Sequence, residues 1–247
     1  MYTGVPSVLF TDLDGTLTTA GRFDADTYSA MASLVGAGLP VVIVTGRPSG
    51  WADAMIRLWP VQAVIAENGA VTLSRCGDRI EHRYGHPEEH IPALRRKMLS
   101  AVEHVRRDHP GVRLSSDSRY REIDLAIDWN EEASLPVESA DRIAWQLRAE
   151  GFEATRSSVH VNFGPVGVDK LTACRAHVNT EDLEPYLYIG DALNDAPMFA
   201  GFPHSVGVAN VREVWDELSH KPRYLTDGAE GAGFCEVAAA LLARLGD

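Results

Sequence analysis

The stretch "VLFTDLDGTLTTAG", residues 8–21, decides how the chain is read. Val8-Leu9-Phe10 has the apolar character of a strand buried on both faces. It ends in two aspartates, Asp12 and Asp14, with Leu13 between them and Gly15-Thr16 behind. Residues two apart at a strand end leave the same face. Two carboxylates so close both ionise only where a cation neutralises them.

Outward from this point, a helical pattern covers 25–37, a second strand 39–45 and a helix 50–58, stopped by Pro60. A third strand lies within 61–70. Near-continuous apolar strands separated by helices mark a parallel sheet covered on both faces. A hairpin over 70–82 turns at Gly77-Asp78. Around residue 84 the pattern changes. A long helix over 88–108 leads to two alternating strand-like segments within 111–130, a helix at 137–150, and strands at 152–156 and 158–163. This α-β-β-α-β-β order predicts a small antiparallel sheet with helices on one face. After Gly167 come a helix at 168–176, a strand at 186–191, a helix from Asn194, a strand at 205–210, and helices at 212–218 and 231–245. The expected fold is α/β: a Rossmann-like parallel-sheet core at 1–83 and 161–247, carrying an inserted α+β domain at 84–160.

At 247 residues the chain is long enough for such a core and insertion. Its net charge of -12 argues against a nucleic-acid-binding surface, which would be basic. No apolar run approaches the roughly 20 residues of a membrane helix, and "MYTGVPS" lacks the regions of a signal peptide. Cys76, Cys174 and Cys235 are far apart, as in a reduced, cytoplasmic protein. Neither nucleic acid nor membrane is an expected partner; monomer and homo-oligomer both stay open.

Four core strands end in polar clusters: Asp12/Asp14, Thr45-Gly46-Arg47, Glu67-Asn68-Gly69, and Gly190-Asp191 with Asn194-Asp195. In open parallel sheets the ligand crevice lies outside the carboxyl ends of the strands, so these clusters should converge. Hard carboxylate oxygens suit Mg2+, with Asp12, Asp14 and Asp191 as expected ligands. Lys170 adds positive charge, Thr45 a hydroxyl and Gly46 an unobstructed N–H, all suited to phosphate oxygens. Asn194 joins this expected phosphate-binding set.

"DLDGTL", "VTGRP", Lys170 in "GVDKLTA" and "GDALNDAPMF" resemble the four motifs of the haloacid dehalogenase superfamily, in order and at suitable spacings. The insertion, with "ENGA" before it, resembles the second-type cap of the sugar-phosphate phosphatases, sucrose-phosphatase-like enzymes and phosphomannomutases of that superfamily. The resemblance implies a Mg2+-dependent phosphatase. Asp12 would attack phosphorus and form an aspartyl-phosphate. Asp14 would protonate the leaving alkoxide and then take a proton from water. Mg2+ and Lys170 would neutralise the transferring group, with Thr45 completing the catalytic set. An aspartate at position 14 favours phosphate esters over carbon–halogen bonds.

In the cap, Ile123, Leu125 and Ile127 share one face and Glu122, Asp124, Ala126 and Asp128 the other; Val159, Val161 and Phe163 oppose His160 and Asn162. The polar face should look toward the core site. Asp124, His160 and Asn162 suit the hydroxyls of a sugar phosphate, whereas Arg119 and Arg121, with Arg113 nearby, suit a second anion. The expected substrate is a small phosphorylated metabolite. A sugar phosphomutase and a non-catalytic phosphometabolite-binding protein are the alternatives. His82, His86 and His90 are interrupted by Gly85 and Pro87 and do not read as a zinc site. "GAEGAG", 228–233, does not match a dinucleotide fingerprint.

Overall fold

The computed structural model describes residues 4–157 and 159–246. Residues 1–3 of the N-terminal stretch, Ser158 at the start of the last predicted cap strand, and Asp247 lie outside the described residues.

Strand β1 (Val8–Thr11) is apolar on both sides because both sides are covered. Leu9 packs in one cluster with Met31, Leu34 and Phe234, and Phe10 in another with Tyr188, Phe199 and Phe202. Each such side chain contributes roughly 1.5–3 kcal/mol when fully buried. There follow α1 (Ala25–Gly36), β2 (Val41–Val44), α2 (Ser49–Leu58) and β3 (Ala63–Ala66). The hairpin β4 (Val71–Cys76) and β5 (Arg79–Tyr84) comes next. The cap comprises α3 (Ile91–Asp108), β6 (Arg113–Leu114), β7 (Leu125–Asp128), α4 (Val137–Ala149), β8 (Glu153–Arg156) and β9 (His160–Gly164). The core resumes with α5 (Lys170–Val178), β10 (Tyr186–Gly190), α6 (Ala196–Gly201), β11 (His204–Gly207), β12 (Tyr224–Leu225) and α7 (Glu230–Leu245).

The core sheet runs β12-β11-β10-β1-β2-β3-β4-β5. Its strands are parallel through β3, and the β4–β5 hairpin is antiparallel. The chain leaves β1 toward β2 on one side and returns to β10 on the other. β1 therefore ends at the topological switch point, where a crevice opens. The cap sheet is antiparallel, β6-β7-β9-β8, with the apolar faces of α3 and α4 against it. No helix among the described residues is long and apolar enough to cross a membrane.

Several elements differ from expectation. β9 pairs along its length with β7 and β8, so the cap sheet extends through Gly164 and a boundary at 160/161 would cut a strand. Ser118–Tyr120 is a 3-10 turn and β6 has two residues, so residues 122–124 precede β7 instead of alternating within a strand. The helix expected at 212–218 is a 3-10 segment, Ala209–Val214. Strand β12, too short to leave a periodic signal, was not expected.

Candidate active site

Asp12 follows the last residue of β1, almost fully buried. Lys170 opens α5, whose N-terminus is capped by Asp169 accepting from Thr172 N at 2.8 Å. This start aims the buried lysine across the crevice. Its Nζ donates at 2.8 Å to Asp12 Oδ1 and at 2.8 Å to Asp195 Oδ1. Burial works against the Lys170 ammonium, but Asp12 and Asp195 outweigh it and keep it protonated.

Asp12, Asp191 and Asp195 each bring an oxygen within 4.8 Å of the others'. Burial pushes the Asp12 carboxyl up to about 7, against the pull of Lys170. Burial, then the charges of Asp12 and Asp195, push Asp191 well above the usual carboxylate range. A divalent cation would reverse both effects, and hard oxygens forced together fit Mg2+. Asp195 has little left to offer a metal. Its Oδ1 accepts from Lys170 and Tyr188, and its Oδ2 from the N–H groups of Asp191 and Ala192. Asp191 is oriented by Thr16 Oγ1 (2.8 Å) and Asn210 Nδ2 (2.9 Å). Gly15 is required beside it: φ is +77°, and a Cβ would stand 2.5 Å from Asp191 Oδ2.

Asp14 departs from expectation. Its carboxylate lies outside the Asp12–Asp191–Asp195 set and is gripped by Arg47, Nε to Oδ2 at 2.9 Å and Nη2 to Oδ1 at 3.0 Å. β1 ends at Thr11, so Asp12 and Asp14 stand beyond the strand and its alternation no longer governs them. The paired carboxylates are served by two different cations, Lys170 and Arg47. Arg47 also reaches the cap, donating from Nη1 to Glu131 Oε1 at 3.0 Å.

A cavity of about 30 Å³ lies over Asp12 and Asp14, lined also by Gly46, Arg47, Asn68, His160, Asn162 and Asn194. A second, of about 190 Å³, shares Asn68, Thr155, Asn162 and Asn194 and adds Asp124, Glu153 and Lys170. Asn194 Oδ1 is buried without a partner among the described residues. Thr45 lines neither cavity; buried, it accepts from Arg47 N at 3.0 Å and braces the loop. Gly46 O receives Arg121 Nη1 (2.9 Å) and Asn162 Nδ2 (3.2 Å) from the cap.

Of the expected cap residues, Asp124, His160 and Asn162 line these cavities, and Arg119 and Arg121 do not. Arg119 is exposed and stacks on Tyr120. Arg121 is fully buried against Asp124, Asp117 and Gly46 O, joining cap to core. Burial lowers the His160 pKa; its Nε2 lies 2.8 Å from Glu131 Oε2. Burial raises Asp124 to about 7, against the pull of Arg121. Arg47 and Glu67 lie in the strand-end clusters expected at the crevice, without an assigned chemistry; Glu131 and Asn210 stand outside those clusters. Asn210, just beyond the carboxyl end of β11, was open to the same strand-end reading that found Asp191.

The model of the haloacid dehalogenase-like hydrolases matches residues 9–100. Along nearly its whole length the chain is 31% identical to a phosphoglycolate phosphatase of Haloarcula marismortui, covering 94% of this chain and 95% of that one. A solved structure from Thermoplasma acidophilum superposes with a TM-score of 0.74 at 19% identity, covering 98% of this chain and 100% of that chain. The sucrose-phosphatase of Synechocystis, solved with sucrose and phosphate, gives 0.69 at 14% identity, with 96% and 98% covered. The chain belongs to the haloacid dehalogenase-like hydrolases. It is an enzyme, a phosphatase of that family, and its fold is shared with the family's sugar phosphatases.

Proposed function

We propose that the protein is a Mg2+-dependent phosphomonoester hydrolase acting on a small phosphorylated metabolite, a sugar phosphate, through an aspartyl-phosphate on Asp12. The observation that carries this reading is the placement of Lys170 between Asp12 and Asp195, beside Asp191, under a cap. Asp12 and Asp191 would hold the metal, which supplies charge neutralisation at the phosphoryl oxygens when bound.

An Asp12 carboxylate oxygen attacks phosphorus as the ester P–O bond breaks, and Asp14, which must be protonated at this step, gives its proton to the departing alkoxide. Water then attacks the acyl-phosphate, its proton passes to Asp14, and inorganic phosphate leaves with Asp12 restored. Lys170 holds Asp12 in line and meets the phosphoryl charge; Gly46 N–H and the Asn194 amide are suited to the phosphoryl oxygens.

The larger cavity favours a polyhydroxylated leaving group, because Asp124, Glu153, Asn68 and Asn162 offer hydrogen bonds. The name of the Haloarcula relative favours a second reading, a phosphorylated hydroxy acid. Its carboxylate would call on Arg47 in the smaller cavity, a guanidinium already bound to Asp14 and Glu131. Incubation with phosphorylated sugars, phosphoglycolate and Mg2+ tests both. Free phosphate from a sugar phosphate supports the first reading. Release from phosphoglycolate alone selects the second, isomerised sugar phosphate indicates a mutase, and no turnover indicates a binding protein.

A further inference from the structure

Glu67 follows the last residue of β3 in the core and opens a 3-10 turn, and its side chain is buried with no lysine or arginine hydrogen-bonded to it among the described residues. Its hydrogen-bond partners are backbone groups, with the Arg121 charge close enough to act on it. Oε1 accepts from Ser49 N (3.0 Å) in the core and from Glu122 N (2.8 Å) in the cap. Oε2 accepts from Ile123 N (2.8 Å) and Asp124 N (2.9 Å), both in the cap. Three consecutive cap N–H groups thus close on one core carboxylate, an anion nest made by one domain for a side chain of the other.

The backbone is strained to reach this contact. Glu67 and Asn68 both have positive φ, 51° and 54°, a region that side-chain-bearing residues occupy at a cost. Such strain persists where surrounding contacts over-determine it. The contact also sets the site's shape: Asn68 donates to Asp124 Oδ2 at 3.4 Å, and both residues line the larger cavity. The cavity over Asp12, about 30 Å³, has room for little more than a water molecule. The Glu67 contact therefore bears on how far this space opens to a phosphate ester.

We infer that Glu67 is a positioning residue, the latch that holds the cap closed over the phosphoryl site through the N–H groups of residues 122–124. The inference rests on the reading that the cap encloses the leaving group. The side chains beside these donors dock on the core as well: Glu122 Oε2 accepts from the Tyr84 hydroxyl at 2.7 Å, and Ile123 is buried in the cluster that holds Leu9. Opening releases all three bonds together, and closing restores Asn68 and Asp124 to the substrate.

Hydrogen exchange on the whole protein tests this. In the wild type, the amides of Glu122, Ile123 and Asp124 should exchange through one shared opening, faster than those of Phe10 and Tyr188 in the core sheet. Inorganic phosphate with Mg2+ should slow them. In Glu67→Gln, which keeps the size but only one acceptor oxygen, that opening should become about tenfold more frequent while Phe10 is unchanged. In the same variant, kcat/KM for a sugar phosphate should fall about tenfold, mainly through KM, while a generic aryl phosphate is spared. The inference is overturned if the three wild-type amides are as slow as Phe10, since the contact is then a fixed part of the fold. It is equally overturned if Glu67→Gln leaves their exchange unchanged, or loses both substrates in proportion. Should the wild type hydrolyse no phosphate ester, the phosphatase reading fails while the exchange measurements still decide the latch.

Discussion

Arg47 holds both carboxylate oxygens of Asp14, at 2.9 and 3.0 Å, and so fixes the plane of the acid that must face the leaving group. A fork of this kind is not reproduced by an ammonium. In Arg47→Lys, turnover of alkyl and sugar phosphates should fall about 10–100-fold. An aryl phosphate, whose leaving group departs without a proton, should lose far less. Steady-state rates on the two ester classes decide it, and equal losses would place Arg47 outside proton transfer.

Asp12→Asn keeps the shape of the nucleophile and removes its charge. Turnover should drop by roughly 10³-fold or more, with the circular dichroism spectrum retained. Near-normal phosphate release with Mg2+ present would refute Asp12 as the attacking group.

The raised acids make the metal-free protein and metal binding respond oppositely to pH. Asp12 titrates at about 7 and Asp191 also lies above the ordinary carboxylate range, so the fold holds protons that the unfolded chain has released. This contribution to stability is complete below the unfolded value and is lost as pH rises through about 7. Mg2+ needs the ionised carboxylates, so its affinity should rise between about pH 6 and 8, with protons released on binding. Calorimetry in buffers of different ionisation heat measures this; affinity flat across the range would contradict it.

Asp191→Asn follows from the same crowding. It should raise the metal-free Tm at pH 8, by about 2–4 °C for each kcal/mol gained, and abolish both activity and the Tm shift caused by Mg2+. A lowered metal-free Tm would show that Asp191 contributes more through Thr16 and Asn210 than its charge costs.

Division of labour between cap and core gives the last test. His160→Ala or Asn162→Ala should weaken use of the preferred substrate several-fold, from roughly 0.5–1.5 kcal/mol per lost hydrogen bond, and spare an aryl phosphate. Lys170→Ala should damage both, because every ester presents the same phosphoryl group, and Thr45→Ala should damage both by loosening the loop that carries Gly46 and Arg47. Parallel losses for the cap variants would mean that this face does not read the leaving group.

The convergence of Asp12 and Asp191 was legible because parallel strands flanked by helices deliver their carboxyl ends to one crevice, whereas Lys170, at the start of α5, was legible through the motif resemblance. The spacing of Asp12 and Asp14 misled, because the strand stops at Thr11 and the turn sends the two carboxylates to different cations. Arg119 and Arg121 read as anion binders from composition. A 3-10 turn leaves the first exposed, and cap docking buries the second. Glu67 was illegible in another way: its partners are main-chain N–H groups, which leave no mark on residue identity.

The margins of the eight-stranded sheet have a consequence for how chains meet. At one margin, β5 presents Arg79, Glu81, His82 and Arg83 to solvent; at the other, β12 is two residues long and follows Pro222 at the second position before it. Charged, curtailed borders of this kind resist templating by a foreign strand. Neither margin offers an incoming strand a long, uncharged edge to pair with.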